Sequence, residues 1–264
     1  MTSPFHTRSC LCRDLKSLGV RRGDGLFVHG SMRAIGSVIG GPRVVVEAIL
    51  SSVGEDGLVG MPGFSSDASF PADMDRSNAS PEQIARIEAA VPDYHELKSP
   101  TAGMGVIAET FRTWPGTRRS SHPTVSICLN GPDAERLLAE HSLAWATGPQ
   151  TPLGKLRDFP RMKILLIGVG WNRCSALHTA ETLADHRRTK TRRFKSEGAW
   201  IETPDVADDM NRLFPKVGAA FEDAGLASRG AIGDATCIIC EYKSLVEFGT
   251  EWIDTANRTS GELT

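Results

Sequence analysis

The chain is short of the features that would assign it quickly. Its 264 residues contain no uninterrupted apolar run of the roughly 18 residues that mark a bilayer span, and the opening MTSPFHTRSCLCRDLKSLG holds no hydrophobic signal core. These absences make the cytoplasm the expected location and argue against a membrane partner. An excess of one charge is lacking too: 30 Lys and Arg face 32 Asp and Glu, a net of −2. No polybasic face is indicated, so nucleic acid is not an expected partner. Only six cysteines occur (Cys10, Cys12, Cys128, Cys174, Cys237, Cys240), four of them in or beside apolar runs, the pattern of reduced thiols rather than a secreted disulfide framework. Cys237 and Cys240 have C-x-x-C spacing, but in a strand their sulfurs face opposite sides, so core packing is the expectation.

What is present centres on Lys163 to His186, KILLIGVGWNRCSALHTAETLADH. Ile164 to Ile167 is an apolar run bounded by glycine, the pattern of a buried strand. Ser175 is a plausible N-cap for a helix in which Ala176, Leu177, Ala180, Leu183 and Ala184 recur at helical spacing. His178, Glu181 and Asp185 then fall at i, i+3 and i+7 on one face. A histidine whose acid partner lies one turn on suits a general base, since the carboxylate fixes the tautomer. A surface histidine beside a surface acid fits the same spacing, and so does a metal reading that adds His186. The spacing is not H-E-x-x-H, however, so no metal is expected.

Elsewhere the chain alternates strands and helices. Residues 9–18 read as a helix, 25–30 as a strand, and Pro42 sits in the first turn of a helix closed by Gly54 before a strand at Leu58 to Met61. Residues 62–102 are rich in Pro, Ser and Asp, with one brief helix at Pro81 to Ala90, and a segment this long and irregular reads as a functional loop. Further helices are expected at Gly103 to Thr113, from Pro132 and at Thr151-Pro152, a strand at Thr124 to Leu129, and a basic exposed hairpin in KTRRFKSEGAWIET. An amphipathic helix with an acidic first turn is expected over Asp205 to Ala224, then one strand over Ala231 to Tyr242 and a final helix. The fold class is therefore α/β: one domain, 1–264, with a mixed, mostly parallel central sheet sandwiched by helices. Sites in such sheets lie beyond the strands' carboxyl ends, which points to the loops after Val28, Met61, Leu129 and Ile167.

The loop HGSMRAIGSVIGG is neither a Walker loop nor a G-x-G-x-x-G. Its backbone N–H groups could form an anion nest, with Arg33 adding charge and Ser31 a hydroxyl, or it could be a plain tight turn. His122-Pro123 follows Arg118-Arg119-Ser120, which either orients a turn or sets Arg119 or His122 against a phosphorylated ligand. Asp67, Asp73, Asp75, Asp93, Asp205, Asp208 and Asp209 are solvated acids unless they gather round a cleft, where they would select a cation.

Several blocks together resemble the aminoglycoside 3-N-acetyltransferase family, also called the antibiotic N-acetyltransferases, over most of the chain. They are Val28-His29-Gly30-Ser31 through Gly36, Val59 to Pro62, Ser99-Pro100-Thr101, Gly103 to Arg112, Arg119 to Ser126, Pro152 to Leu156, Gly168-Val169-Gly170 and Leu177-His178-Thr179-Ala180-Glu181. The resemblance implies a fold distinct from the common N-acetyltransferase superfold, acetyl-CoA as donor and direct transfer to the 3-amino group of an aminoglycoside. Carried over, His178 would deprotonate the amine, Glu181 would orient that histidine or hold the amine, and Ser31 with neighbouring backbone donors would face the thioester. His29, Gly30, Ser31, Met32, Arg33, Ala34, Ile35, Gly36, Arg119, Ser120 and His122 would meet the cofactor, and Asp67, Asp93, Glu181, Asp208 and Asp209 the acceptor. The sequence departs from the family in Gly30 and Arg33-Ala34, which replace a more usual hydroxyl-rich loop, in Gly63 to Asp67, and in Tyr94-His95, where Phe-Asp is frequent. Two other classes use the same residues: a hydrolase built on Ser31, His178 and Glu181, disfavoured by the lack of a G-x-S-x-G elbow, and a non-catalytic CoA-binding or antibiotic-binding protein.

Overall fold

The computed structural model describes residues 5–72, 74 and 76–260, so Asp73 and Asp75 lie outside the described residues. In chain order the elements are α1 (Arg8–Ser17), β1 (Gly25–Gly30), α2 (Met32–Ile35), α3 (Gly41–Val53), β2 (Leu58–Pro62), α4 (Pro81–Ala90), α5 (Gly105–Arg112), β3 (Arg118–Arg119), β4 (Ile127–Asn130) and α6 (Ala134–Leu138). They continue with α7 (Pro152–Leu156), β5 (Met162–Ile167), α8 (Ala176–Leu183), β6 (Thr189–Ser196), β7 (Ala199–Val206), α9 (Phe214–Asp223), β8 (Ala227–Ile232), β9 (Ala235–Glu241) and α10 (Tyr242–Ser260). Among the described residues no helix is long and apolar enough to cross a membrane.

Seven strands form one mixed sheet in the order β3-β4-β2-β1-β5-β9-β8. Its parallel part is confined to the centre, where β1 pairs with β2 and with β5, while the four outer pairings are antiparallel. The parallel share is thus smaller than alternation of strands and helices implied. Alternation survives where crossovers run through α3 and through the long stretch before β5; at the two edges, consecutive strands β3-β4 and β8-β9 return through short connections, the latter through the Gly233-Asp234 turn, and pair antiparallel. That turn also splits the single strand expected over Ala231 to Tyr242 into a hairpin.

Period-two burial separates two cores. Phe27, Leu58, Ile164, Leu166 and Cys240 point to the face covered by α6 to α10, and Leu26, Val28, Val59, Leu165, Ile167 and Cys237 to the face covered by α1, α3 and α5. Each fully buried aliphatic side chain contributes about 1.5–3 kcal/mol, so this alternation fixes the register of the central strands. Cys237 and Cys240 fall into opposite cores, so the C-x-x-C spacing makes no dithiol, and both thiols are free.

The long loop is tied down at its base and roofed by the hairpin. Arg119 donates to the carbonyls of Gly63, Glu96 and Ser99 and to Ser126 Oγ, while Arg112 reaches the Leu97 carbonyl and Glu109 accepts from the Thr101 N–H. Ser80 and Gln83 make a capping box that starts α4 where Pro81 predicts it. The hairpin β6-β7 then packs on α4 through Arg193 to Glu88 at 2.6 Å and the Trp200 indole to the Glu88 carbonyl. It is half-buried, not the free-standing exposed hairpin its basic alternation suggests.

The helix expected over Asp205 to Ala224 begins only at Phe214. Asp205 ends β7, Asp208 adopts a left-handed conformation (φ 61°, ψ 56°), and one short turn at Asp209–Asn211 intervenes. Pro215, in the first turn of α9, sets its start.

Candidate active site

A cleft of about 730 Å3 opens at the carboxyl ends of β1 and β2 and beside the loop that leaves β5. The parallel centre of the sheet is what brings those ends together. Gly168, at φ 63°, lets the chain turn out of β5, and any Cβ there would stand 2.1 Å from that of Ala34. The chain continues through a short turn at Trp171–Arg173 into α8. Trp171 packs against Gly218 of α9, where a Cβ would lie within 2.0 Å of the indole, and its Nε1 donates to Glu222. The start of α8 is thereby fixed from both sides of the loop.

His178 and Glu181 sit on the first two turns of α8, both buried, and His178 lines the cleft. The imidazole Nδ1 and Glu181 Oε2 are 2.7 Å apart, and the other Glu181 oxygen accepts the Asp209 N–H at 2.8 Å. Both carboxylate oxygens are held, so Nδ1–H faces an acceptor and Nε2 is the nitrogen left to work. Thr147 and Thr182 hydroxyls donate to the His178 carbonyl, pinning the backbone as well. Burial opposes protonation of this imidazole, but the bond to Glu181, its charge and that of Asp208 outweigh it, and the pKa is raised above 6.5.

His29, at the end of β1, behaves in the opposite way. Burial, aided by His178 nearby, pushes its pKa down to about 3, and its Nε2 accepts the Ser175 N–H at 3.2 Å. It is a neutral acceptor that ties β1 to the start of α8. Ser175 holds the N-cap position, as predicted, but makes no side-chain cap; its backbone bond to His29 does the anchoring.

The structure sorts the other predicted residues. His29, Gly30, Ser31, Met32 and Arg33 line the cleft. Ser31 Oγ caps α2 by accepting the Ala34 N–H, and the Ser31 N–H is already given to the Ile167 carbonyl at 2.9 Å, so this backbone donor is not available to an oxyanion. Among the described residues no hydrogen bond joins Ser31 to His178. Ala34, Ile35 and Gly36 are turned away: Ala34 packs on Gly168, Ile35 is core, and Gly36 closes against Asp234.

The RSSHP turn does not reach the cleft wall. Arg119 is the loop clasp already described, Ser120 Oγ accepts the Ile127 N–H and meets His141 Nδ1, and His122 Nδ1 accepts the N–H groups of Thr124 and Val125. Burial pushes His122 down to about 3, so it offers no positive charge to a phosphate. Of the acids, Asp67 lies in a separate groove of the long loop and Asp93 accepts the Gly198 N–H at the hairpin turn. Asp209 is buried between Arg188 and Arg212, contributing its N–H to Glu181. Asp208 does line the cleft, as does Asp205. Asp185 lies beyond the end of α8 and is exposed, and His186 is engaged by Asp254 at 2.9 Å, so the ligand set of the metal reading is not assembled.

Several wall residues were given no site role from the sequence. Arg192 enters from β6, Asn172 and Arg173 from the turn before α8, and Met104, Gly105 and Val106 from the start of α5. Gly103-Met104-Gly105 was the detectable hint, since two closely spaced glycines before a helix mark a close backbone approach.

A buried imidazole held by a carboxylate, opening on a cleft at strand ends, defines a site that can move one proton at a reacting group. The sequence profile described as aminoglycoside 3-N-acetyltransferase matches residues 27–254. The chain belongs to that family. It is 31% identical to the SPbeta prophage-derived aminoglycoside N(3')-acetyltransferase-like protein YokD of Bacillus subtilis, covering 93% of this chain and 92% of the relative. The crystal structure of YokD superposes with a TM-score of 0.89 over 97% of this chain and 96% of that one. AAC-IIIb in binary complex with CoASH is 28% identical with a TM-score of 0.83 over 96% and 97%, and AAC-VIa bound to sisomicin is 31% identical with 0.82 over 96% and 99%. The fold is the one these acetyltransferases share, distinct from the common N-acetyltransferase superfold.

Proposed function

We propose that this chain transfers the acetyl group of acetyl-CoA directly to a primary amine of an aminoglycoside, the 3-amino group, with His178 as general base. The observation that carries the reading is the buried His178–Glu181 pair facing the cleft in a member of this family. Related proteins with CoASH and with sisomicin bound support donor and acceptor classes.

Acetyl-CoA supplies an activated acyl carbon with a thiolate leaving group. The cleft suits it: Arg33 and Arg173 are exposed on its wall, where phosphates would meet them, and Met104, Val106 and Val169 offer an apolar wall to the thioester arm. An aminoglycoside amine is protonated at neutral pH, so the site must remove a proton for the nitrogen to attack. His178 Nε2 takes it while Nδ1–H stays on Glu181, and the resulting imidazolium is stabilised by Glu181 and Asp208. As the nitrogen bonds to the acyl carbon and the carbon–sulfur bond breaks, the imidazolium proton goes to the departing sulfur, and the freed Nε2 takes the second proton from the acylated nitrogen and passes it to solvent, leaving amide, thiol and one released proton. Of the acids expected at the acceptor, Asp208 is the one on the cleft wall and would attract it; Asp67, Asp93 and Asp209 lie off that wall, and Asp205, which also lines it, is held by Arg192. The chemistry runs in the cytoplasm, where the donor is made.

Purified protein, acetyl-CoA and a panel of aminoglycosides, followed by free thiol release, test the reading. Acceptor-dependent thiol with an acetylated product is the expected result; thiol release without an acceptor, or CoA binding with no turnover on any amine, would overturn it in favour of hydrolysis or a binding protein.

A further inference from the structure

Neither of the two carboxylates on the cleft wall is without a cation. Asp205, buried at the end of β7, accepts from Arg192 Nε at 2.7 Å and from the Val206 N–H. Asp208 is ion-paired with Lys190 Nζ, has an Arg192 nitrogen 3.6 Å away, and stands 3.8 Å from His178 Nδ1. Lys190 and Arg192 are two residues apart on β6, so one face of that strand delivers both cations.

The two cations differ in freedom. Arg192 is 19% exposed and its guanidinium is locked to a buried carboxylate, whereas Lys190 and Asp208 are 34% and 32% exposed. Lys190 lines a separate open groove outside the cleft, beside Trp145 and Glu202, and Asp208 lines the cleft. The lysine therefore reaches Asp208 from outside, on a flexible four-carbon stem with water behind it. Its terminal ammonium is the same chemical group that a second amino group of a polyamine acceptor would present there.

Resting on the acetyl-transfer reading above, we propose that Lys190 is a built-in competitor for an acceptor ammonium at Asp208. It occupies the carboxylate in the resting protein and swings into the outer groove when an acceptor brings an ammonium of its own. Arg192 stays on Asp205 throughout, so the subsite exchanges one cation for one cation. Binding at Asp208 is weakened by the ion pair that must first be broken, and acceptors without a second ammonium at that distance leave Lys190 in place.

The test is the dissociation constant of sisomicin measured calorimetrically on the full chain in excess CoA. Lys190→Met is expected to bind sisomicin about 1.5-fold to 5-fold more tightly, the range for a partly exposed ion pair. Lys190→Arg restores the wild-type constant, Asp208→Asn weakens binding, and in the Asp208→Asn background Lys190→Met gives no gain. A lysine that merely anchored the hairpin would produce the opposite sign. Unchanged or weaker binding in a Lys190→Met protein of wild-type melting temperature, a gain that persists without Asp208, or no sisomicin binding by any variant would overturn the proposal. These readouts need no turnover, so tighter binding without acetylation sinks only the transfer reading.

Discussion

The two walls of the cleft are built by different physics. The wall made by β1, the β5 exit and α8 rests on backbone ladders and full apolar burial, with Phe27, Ile164, Leu166 and Leu177 in one core and Val28, Leu165 and Ile167 in the other. The opposite wall, made by the hairpin β6-β7 and the segment after it, is held by ion pairs: Arg192 to Asp205, Lys190 to Asp208, Arg188 to Asp209 and Arg193 to Glu88. Packing against a sheet fixes side chains to a fraction of an ångström, whereas partly exposed ion pairs exchange readily. In the proposed reaction the rigid wall carries the proton-handling group, and the wall with the partly exposed Lys190–Asp208 pair faces the acceptor, which is the division an enzyme with a fixed reaction and adaptable substrates needs.

The sharpest way to break this division is to remove the base from the rigid wall. His178→Ala is expected to lower kcat about 10^2- to 10^4-fold, the usual contribution of a positioned acid or base, while CoA affinity stays within experimental error. Thiol-release kinetics and calorimetric CoA titration on one preparation read both. A mutant with wild-type kcat would move the proton transfer elsewhere. A milder cut is Glu181→Gln, which keeps the shape but loses the charge that raises the His178 pKa. The acid limb of the kcat/KM profile, set by His178 needing to be neutral, should then move to lower pH, with kcat reduced about tenfold or more by the loosened tautomer.

Acid stability separates the histidines of the two states. His29 and His122 are pushed down to about 3 and His141 to about 4, chiefly by burial. A histidine depressed in the fold binds its proton more readily when unfolded. Its contribution is therefore complete above the unfolded value near 6.5 and is lost as pH falls toward the folded value, at up to about 1.4 kcal/mol per pH unit for each such group. His178, raised in the fold, works in the other direction: its contribution is present below 6.5 and is lost as pH rises through the folded value. Urea midpoints should accordingly fall between pH 6.5 and 4, and His141→Gln should flatten that fall; a midpoint independent of pH over this window would contradict the buried neutral assignments.

The rigid wall was legible in the sequence, whereas of the other only the hairpin was and not its burial or its ion pairs, for the same reason that the walls differ physically. The β1, α3, β2 and β5 elements, the brief helix at Pro81 to Ala90 and the His178–Glu181 spacing are local patterns of period two, period 3.6 or a single turn, and each matches the structure closely. Arg119 and His122 looked available because nothing near them in sequence shows that Gly63, Glu96, Ser99 and Leu143 will consume their hydrogen-bonding groups. Asp205 to Asn211 looked helical because the acids suit a first turn, but Arg192 and Arg188 pull Asp205 and Asp209 toward the hairpin and Asp208 goes left-handed between them. Partners 13 and 21 residues away outweigh a weak local propensity.

Loop anchoring offers two graded cuts. Arg119→Met strips the buried Ser99 carbonyl of its donor and leaves that of Gly63 to the Ser126 hydroxyl alone, at about 1–3 kcal/mol, visible as a lower melting temperature with His178 chemistry intact once the protein is folded. The smallest effect is expected at Asp93. Its carboxylate accepts the Gly198 N–H at 3.0 Å on the exposed tip of the hairpin, away from the cleft-lining residues, so Asp93→Ala should cost no more than about 1 kcal/mol of stability. Because the hairpin is also held by Arg193 on Glu88, the Trp200 indole on the Glu88 carbonyl and the Lys195 ammonium on the Val91 carbonyl, its inner face, with Arg192 and Asp205, stays in place. The KM for an aminoglycoside should therefore remain within about twofold of wild type. A large rise in KM would mean that Asp93 leaves Gly198 to meet the acceptor, and the exchangeable wall would then extend across the whole hairpin to its tip.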